Sequence, residues 1–114
     1  MSTPERGHRD AAIAQAENWL RTNYSQPVRI DDLSARAAMS PRHFARRFRA
    51  ATGDTPLGYL HKQRVVAARI LLESGTGTVQ DISMAVGYDD VGFFRKIFRR
   101  HTGSTPQAYR RSRP

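Results

Sequence analysis

The stretch Thr52-Gly53-Asp54-Thr55-Pro56 decides the fold, because it returns fifty positions later as Thr102-Gly103-Ser104-Thr105-Pro106. Phe44, Phe48, Arg49 and Tyr59 recur at the same offset as Phe94, Phe98, Arg99 and Tyr109. Upstream the offset slips to 49, with Leu33-Ser34 answering to Ile82-Ser83 and Met39 to Tyr88, so one residue is inserted between Tyr88 and Phe94. An internal repeat outranks any local pattern. This one divides the chain into two copies of one unit, joined by a connector from Thr55 to about Ser74.

Within each copy the punctuation is helical. In the first, a helix over about 30–37 buries Ile30, Leu33 and Ala37, and Ala38-Met39-Ser40 turns the chain, with Met39 plugging the angle. Ser40 then caps a helix with Pro41 at its first position, where a missing N–H leaves no bond unmade. That helix runs to about Thr52 and stops at Gly53, a left-handed C-cap. In the second copy Thr78 and Asp81 form a capping box ahead of Val79, Ile82 and Val86. Gly87-Tyr88-Asp89 turns the chain, and a helix over about 90–102 buries Phe94, Ile97 and Phe98. Thr105-Pro106 opens a last helix carrying Tyr109.

The connector keeps helical spacing at Leu57, Leu60, Arg64, Ala67, Ala68 and Leu71, and Gly75-Thr76-Gly77 closes it. Before the first copy, Asp10 is placed to cap a helix to about Tyr24, with Ile13, Ala16, Leu20 and Tyr24 on one stripe and Trp19 beside it. The expectation is an all-α fold of about seven helices. It divides into a flexible arm at 1–9, a first helix-turn-helix subdomain at 10–54, a connecting helix at 55–75, a second subdomain at 76–111 and a tail at 112–114.

A short helix, a tight turn and a second helix with an apolar inner face describe a helix-turn-helix, and composition says what its outer face meets. Nineteen Lys and Arg against ten Asp and Glu give a formal net charge of +9 and a pI near 11.2, which points to a polyanionic partner. From Val91 to Pro114 there is no acidic residue. With Phe44 and Phe48 facing inward, Arg42, Ala45, Arg46 and Arg49 face outward. With Phe94, Ile97 and Phe98 inward, the outward set is Gly92, Arg95, Lys96 and Arg99. Arginine is the best bidentate reader of guanine. A basic run on a helix most often only solubilises it, but here the arrangement occurs twice with acids excluded. The acids Asp31, Asp32, Asp81, Asp89 and Asp90 gather at expected helix starts, where they complement the dipole. A connector of about 19 helical residues rises roughly 28 Å, close to the duplex repeat of about 34 Å, so the second helices are expected to enter successive major grooves.

Together these residues resemble the C-terminal DNA-binding domain of the AraC/XylS family of bacterial transcription regulators. The likeness is carried by Leu33-Ser34-Ala35-Arg36-Ala37-Ala38-Met39-Ser40 with Phe44-Ala45-Arg46-Arg47-Phe48, and by Tyr59-Leu60, Arg64, Ala68-Arg69 and Leu71-Leu72 in the connector. Most specific is Val86-Gly87-Tyr88 followed by Phe94-Arg95, Phe98-Arg99-Arg100, Gly103-Ser104-Thr105-Pro106 and Tyr109-Arg110. The resemblance covers roughly Ala11 to Arg110. It implies promoter binding and contact with RNA polymerase, with base-reading candidates Arg42, Ala45 and Arg46 in the first copy and Gly92, Arg95 and Lys96 in the second. Ser40, Arg47, Arg49, Arg99 and Arg100 are the implied phosphate contacts. Family members often carry a ligand-binding or dimerisation domain ahead of this unit. The expectation is therefore a domain monomeric by itself, either excised or a small regulator, with any dimerisation through a region outside this chain.

Three positions depart from the family pattern. Ala38 stands where a turn glycine is usual, and a left-handed alanine costs about 1 kcal/mol. Arg29 occupies the cap position that Thr78 fills in the second copy. Gly92 offers no side chain at a reading position. It is either a defect tolerated at a helix start, the favoured alternative, or a sign that the second helix contributes affinity more than discrimination.

Other classes find little support. With no cysteine there is neither disulfide nor thiolate metal site. His8, His43, His61 and His101 have no i,i+4 partner among themselves, and no catalytic elbow or paired acids occur, so neither an enzyme nor a cofactor is expected. Gly75-Thr76-Gly77 lacks the Lys-Ser/Thr of a phosphate loop. No apolar signal core or membrane-length run is present, which leads to the expectation of a cytoplasmic, nucleoid-associated protein. The alternative is a cationic helical protein on acidic membranes or a protein partner, but that needs a wide exposed apolar face, and the four phenylalanines have partners to bury against.

Overall fold

The computed structural model describes the backbone of residues 4–112 and the side chains of residues 11–112. Seven helices account for it: α1 Pro4–Asn23, α2 Ile30–Arg36, α3 Pro41–Thr52, α4 Pro56–Ser74, α5 Val79–Ala85, α6 Val91–Thr102 and α7 Pro106–Arg111. The described residues contain no strand, and the chain divides into two compact units whose boundary falls inside α4, between Leu60 and His61.

In the first unit, α1 and Val28–Leu60, α3 packs against both α1 and α2. Its core is Ile13, Ala16, Leu20, Leu33, Phe44, Phe48, Tyr59 and Leu60. The rings of Phe44 and Phe48 lie 5.7 Å apart, and Tyr59 meets Phe48 edge-on at 5.4 Å and 81°. Phe44 and Phe48 are fully buried, each stabilising the unit by about 1.5–3 kcal/mol. The Tyr59 hydroxyl donates to Glu17 on α1 at 3.1 Å, and burial first, then Glu17, push its pKa up.

The second unit, Tyr24–Pro27 with the chain from His61 onward, repeats this plan with α6 packed against α5 and α7. Its core is Val65, Ala68, Leu72, Ile82, Val86, Tyr88, Phe94, Ile97 and Phe98. Phe94 and Phe98 lie 5.8 Å apart, and Tyr109 meets Phe98 edge-on at 5.5 Å and 74°. The Tyr109 hydroxyl donates to Glu73, so the end of α4 does for this unit what α1 does for the first. Thr52 and Thr102 likewise each donate to the carbonyl four residues back, Phe48 at 2.8 Å and Phe98 at 2.9 Å.

The repeat therefore holds at the level of individual bonds, and the inserted residue is located. The α2–α3 turn spans 37–40, whereas the α5–α6 turn spans 86–90. Gly53 and Gly103 end α3 and α6 at φ 85 and 82. Thr78 and Asp81 form the capping box, while Arg29 makes no side-chain cap. Ala38 adopts φ 57, the single positive φ of a non-glycine among the described residues. Met39 is half-buried in that turn.

Three expectations are corrected. Helix α1 begins at Pro4, so Asp10 lies within it rather than capping it, and positions 4–9 are helical rather than an arm. A proline suits a first helical position; residues 1–3 and 113–114 lie outside those described. Helix α6 begins at Val91, with Asp90 as its cap outside the helix, accepting from Phe93 N at 3.1 Å. On α4 the buried stripe is Tyr59, Leu60, Arg64, Val65, Ala68 and Leu72, while Leu57 is 52% exposed. The helix serves two cores, and no single periodic face describes it.

Candidate nucleic-acid interface

The second helix of each helix-turn-helix pair is held from inside by its phenylalanines, and this sets what it shows to solvent. On α3, Arg42, Arg46 and Arg49 are exposed, whereas Ala45 and Arg47 are half-buried. That corrects the fully outward placement of Ala45, whose neighbour in the chain is the buried Phe44. On α6, Gly92, Arg95, Lys96, Arg99 and Arg100 are all exposed. Among the described residues, no carboxylate forms an ion pair with any of the exposed cations on α3 and α6. Cations held on an ordered helix without acidic partners are free to exchange counterions for phosphates.

The helix starts differ in chemistry. Ser40 Oγ accepts from His43 N at 3.2 Å, and a capping hydroxyl keeps an O–H with which to donate to a phosphate. Asp90, its counterpart, brings an acceptor-only carboxylate to the same place on α6. Gly92 sits beside it, where an added Cβ would come within 3.2 Å of Asp90 Oδ1. A small residue at this position thus has a local steric reason.

One exposed cation has a neighbour that the sequence did not announce. Arg46 Nη2 lies 2.9 Å from Nδ1 of His43, one turn earlier on α3. The equivalent of His43 in the second unit is Phe93, 46% exposed, whose ring sits edge-on to His61 and to Tyr88, 5.8 Å from each.

Behind α6 the turn is pinned by Arg64, which is buried although arginine rarely is. Its Nε donates to the Tyr24 carbonyl at 2.7 Å and an Nη to that of Gln26 at 3.1 Å. Its guanidinium lies 4.8 Å from the Tyr88 ring centre. Gly87, at φ 112, fits beneath it, since a Cβ there would approach Arg64 Nε to 2.8 Å and Tyr24 O to 2.9 Å. His61 stacks on Tyr88, and burial, then the charges of Arg64, His101 and Arg100, lower its pKa. It is therefore neutral at neutral pH and fit to accept from the Tyr88 hydroxyl, whose own pKa burial raises.

Not every basic residue of the C-terminal block is available. Arg110 donates to the carbonyls of Leu72, Thr76 and Gly77 at 3.3, 3.0 and 2.7 Å, clamping the turn between α4 and α5. Arg69 donates to the Tyr109 hydroxyl at 3.2 Å. Arg110 belongs to the acid-free stretch from Val91 onward, yet its guanidinium is spent on main-chain carbonyls. Among the described residues no group of His, Asp or Glu is arranged to hold a metal ion, and no helix is long and apolar enough to cross a membrane.

A helix-turn-helix domain family model matches residues 33–112. The fold matches the DNA-binding domain of AdpA, a global transcriptional factor crystallised with a target DNA, at TM-score 0.82 and 38% identity, over 88% of this chain and 90% of that one. It also matches the C-terminal domain of AraT, a response regulator from Geobacillus stearothermophilus, at TM-score 0.84 and 26% identity, over 90% and 85% of the two chains. Among curated proteins, the transcriptional activator RhaS of Klebsiella pneumoniae is 31% identical over 96% of this chain and 39% of its own length. The xylose operon regulatory protein of Escherichia coli is 28% identical over 96% of this chain and 28% of its own length. The chain thus spans well under half of the curated relatives it matches.

Proposed function

The chain belongs to the AraC-type helix-turn-helix family of transcription regulators, and from that premise we propose that it binds double-stranded promoter DNA sequence-specifically, with α3 and α6 as recognition helices entering successive major grooves. The observation that carries this reading is the pair of exposed basic sets, Arg42, Arg46 and Arg49 on α3 and Arg95, Lys96, Arg99 and Arg100 on α6, none of them paired with a carboxylate among the described residues. A 38% identical domain crystallised on a target DNA supports it.

In this proposal Arg42 and Arg46 reach base edges from α3, with half-buried Ala45 offering at most a methyl contact. Arg95 and Lys96 reach them from α6, while Gly92 permits close approach without adding a side chain. Ser40, Arg47, Arg49, Arg99 and Arg100 contact phosphates and set the register, as side-chain donors to the nucleic-acid backbone commonly do. The stretches 10–54 and 76–111 act as the two DNA-facing subdomains, with 55–75 between them. The chain acts as a monomer, and contact with RNA polymerase is part of the proposal. Any dimerisation would run through a region not in this chain.

The test is a random-duplex selection followed by titration of the selected site at several salt concentrations. The expected slope of log affinity against log salt is about −5 to −7, for six to eight phosphates neutralised. A flat response, or binding to anionic vesicles without salt-sensitive duplex binding, overturns the proposal.

A further inference from the structure

Arginine side chains that read bases must hold a planar fork against one base edge, and a long exposed side chain loses freedom in doing so. Arg46 is exposed, yet its Nη2 lies 2.9 Å from His43 Nδ1. A guanidinium donates only, so this contact requires the imidazole to accept through Nδ1, the tautomer with its proton on Nε2. The backbone that carries that ring is itself fixed. His43 is half-buried, and its backbone N–H donates to the capping Ser40 Oγ at 3.2 Å, which secures the first turn of α3. One guanidinium nitrogen is therefore tethered, while the group's remaining donors have no partner among the described residues.

The second unit supplies the control. The residue matched to His43 is Phe93, which has no acceptor and packs on Tyr88 and His61. The residue matched to Arg46 is Lys96, exposed and with no hydrogen bond or ion pair to another described residue. The same helical position is thus an acceptor behind an arginine in one unit and an aromatic brace behind a lysine in the other.

We infer that His43 is a positioning residue for base reading, holding the Arg46 guanidinium in an approach-ready orientation, so that discrimination is concentrated in the first recognition helix. This rests on the DNA-binding reading above and extends it.

The experiment is a double-mutant cycle on the whole chain, with the selected duplex, the same duplex altered at the base pair sensitive to Arg46→Ala, and a random-sequence duplex, all at one salt concentration. His43→Phe and His43→Leu are expected to weaken binding to the selected duplex by about 3- to 10-fold. Discrimination at that base pair should narrow, with random-sequence affinity unchanged. His43→Asn, which keeps an acceptor near the Nδ1 position, should restore it, and in the Arg46→Ala background His43→Phe should add nothing. Equal loss on all three duplexes, failure of His43→Asn to restore discrimination, or a full additional loss in the Arg46→Ala background overturns the inference. In the unsubstituted protein, ring 15N shifts should report the Nε2–H tautomer of His43, and a dominant Nδ1–H tautomer overturns it whatever the variants do. Absence of any preferred duplex for the unsubstituted chain sinks the DNA-binding reading itself, a separate outcome.

Discussion

In the first unit the helix before the turn starts at Arg29 with no side-chain cap, and the turn passes through Ala38 at φ 57. In the second it starts in the Thr78–Asp81 capping box and turns through Gly87 at φ 112 beneath Arg64. The serine matched between them is used differently as well. Ser34 Oγ donates back to the Asp31 carbonyl at 2.8 Å, whereas Ser83 Oγ donates forward to that of Tyr88 at 3.1 Å, tying its turn shut. On the exposed faces of α3 and α6 the balance reverses: α3 offers Arg42 and a tethered Arg46, and α6 offers Gly92 and an untethered Lys96. One copy of the duplicated unit has gathered the devices that fix a turn, the other those that hold an arginine at the surface.

The largest expected effect comes from attacking the better-fixed turn. Gly87→Ala combines a forbidden φ with a Cβ driven against Arg64 and the Tyr24 carbonyl, so urea unfolding should show a loss of about 2–5 kcal/mol. A loss under about 1 kcal/mol would mean the second turn is as forgiving as the first. Next comes the reading side. Arg46→Ala should weaken binding by about 1–3 kcal/mol and relax discrimination at one base pair. Lys96, a flexible point charge, should matter less to discrimination when changed to Ala. Equal loss of discrimination from both variants, measured by competition between duplexes, would erase the contrast.

The smaller effects repair the first unit. Ala38→Gly removes a left-handed penalty of about 1–2 kcal/mol and adds glycine's extra entropy of about 0.5–1 kcal/mol. Thermal and urea unfolding should therefore show a net gain between zero and about 1.5 kcal/mol, and a loss would show that the turn depends on the alanine methyl. Arg29→Thr should gain a few tenths to about 1 kcal/mol, because Asp32 already stands three residues on, where Asp81 completes the box in the second unit. No gain would place the weakness of α2 elsewhere than at its cap.

Much of this was legible in residue order. The fifty-residue echo, the Ser40, Thr78 and Thr105 caps, the glycine stops and the inward phenylalanines all stand in the structure as expected. These are local signals, and local signals have sequence signatures. What escaped has none. Arg64 and Arg110 owe their places to main-chain carbonyls, Tyr24 and Gln26 for one, Leu72, Thr76 and Gly77 for the other. A carbonyl is present at every residue, so nothing in the order marks it as a partner. The stripe on α4 was misread because Leu60 belongs to one core and Val65 to another. Tethering of Arg46 by His43 was readable in principle, since residues three apart share a helix face, but only as one contact among many.

The segments from cap to stop, Ser40 through Gly53 and Asp90 through Gly103, are equal in length, begin with a side-chain acceptor on the third amide along and end in a left-handed glycine. The extra residue of the second copy lies before Asp90, outside the segment. Evolution, or a protein engineer, thus has two segments with matching seams: an exchange keeps the phenylalanines in register and leaves buried Ile97 against half-buried Arg47 as the mismatch to repack. New operator preferences could arise by such exchange, one reader at a time, without rebuilding the frame that carries it.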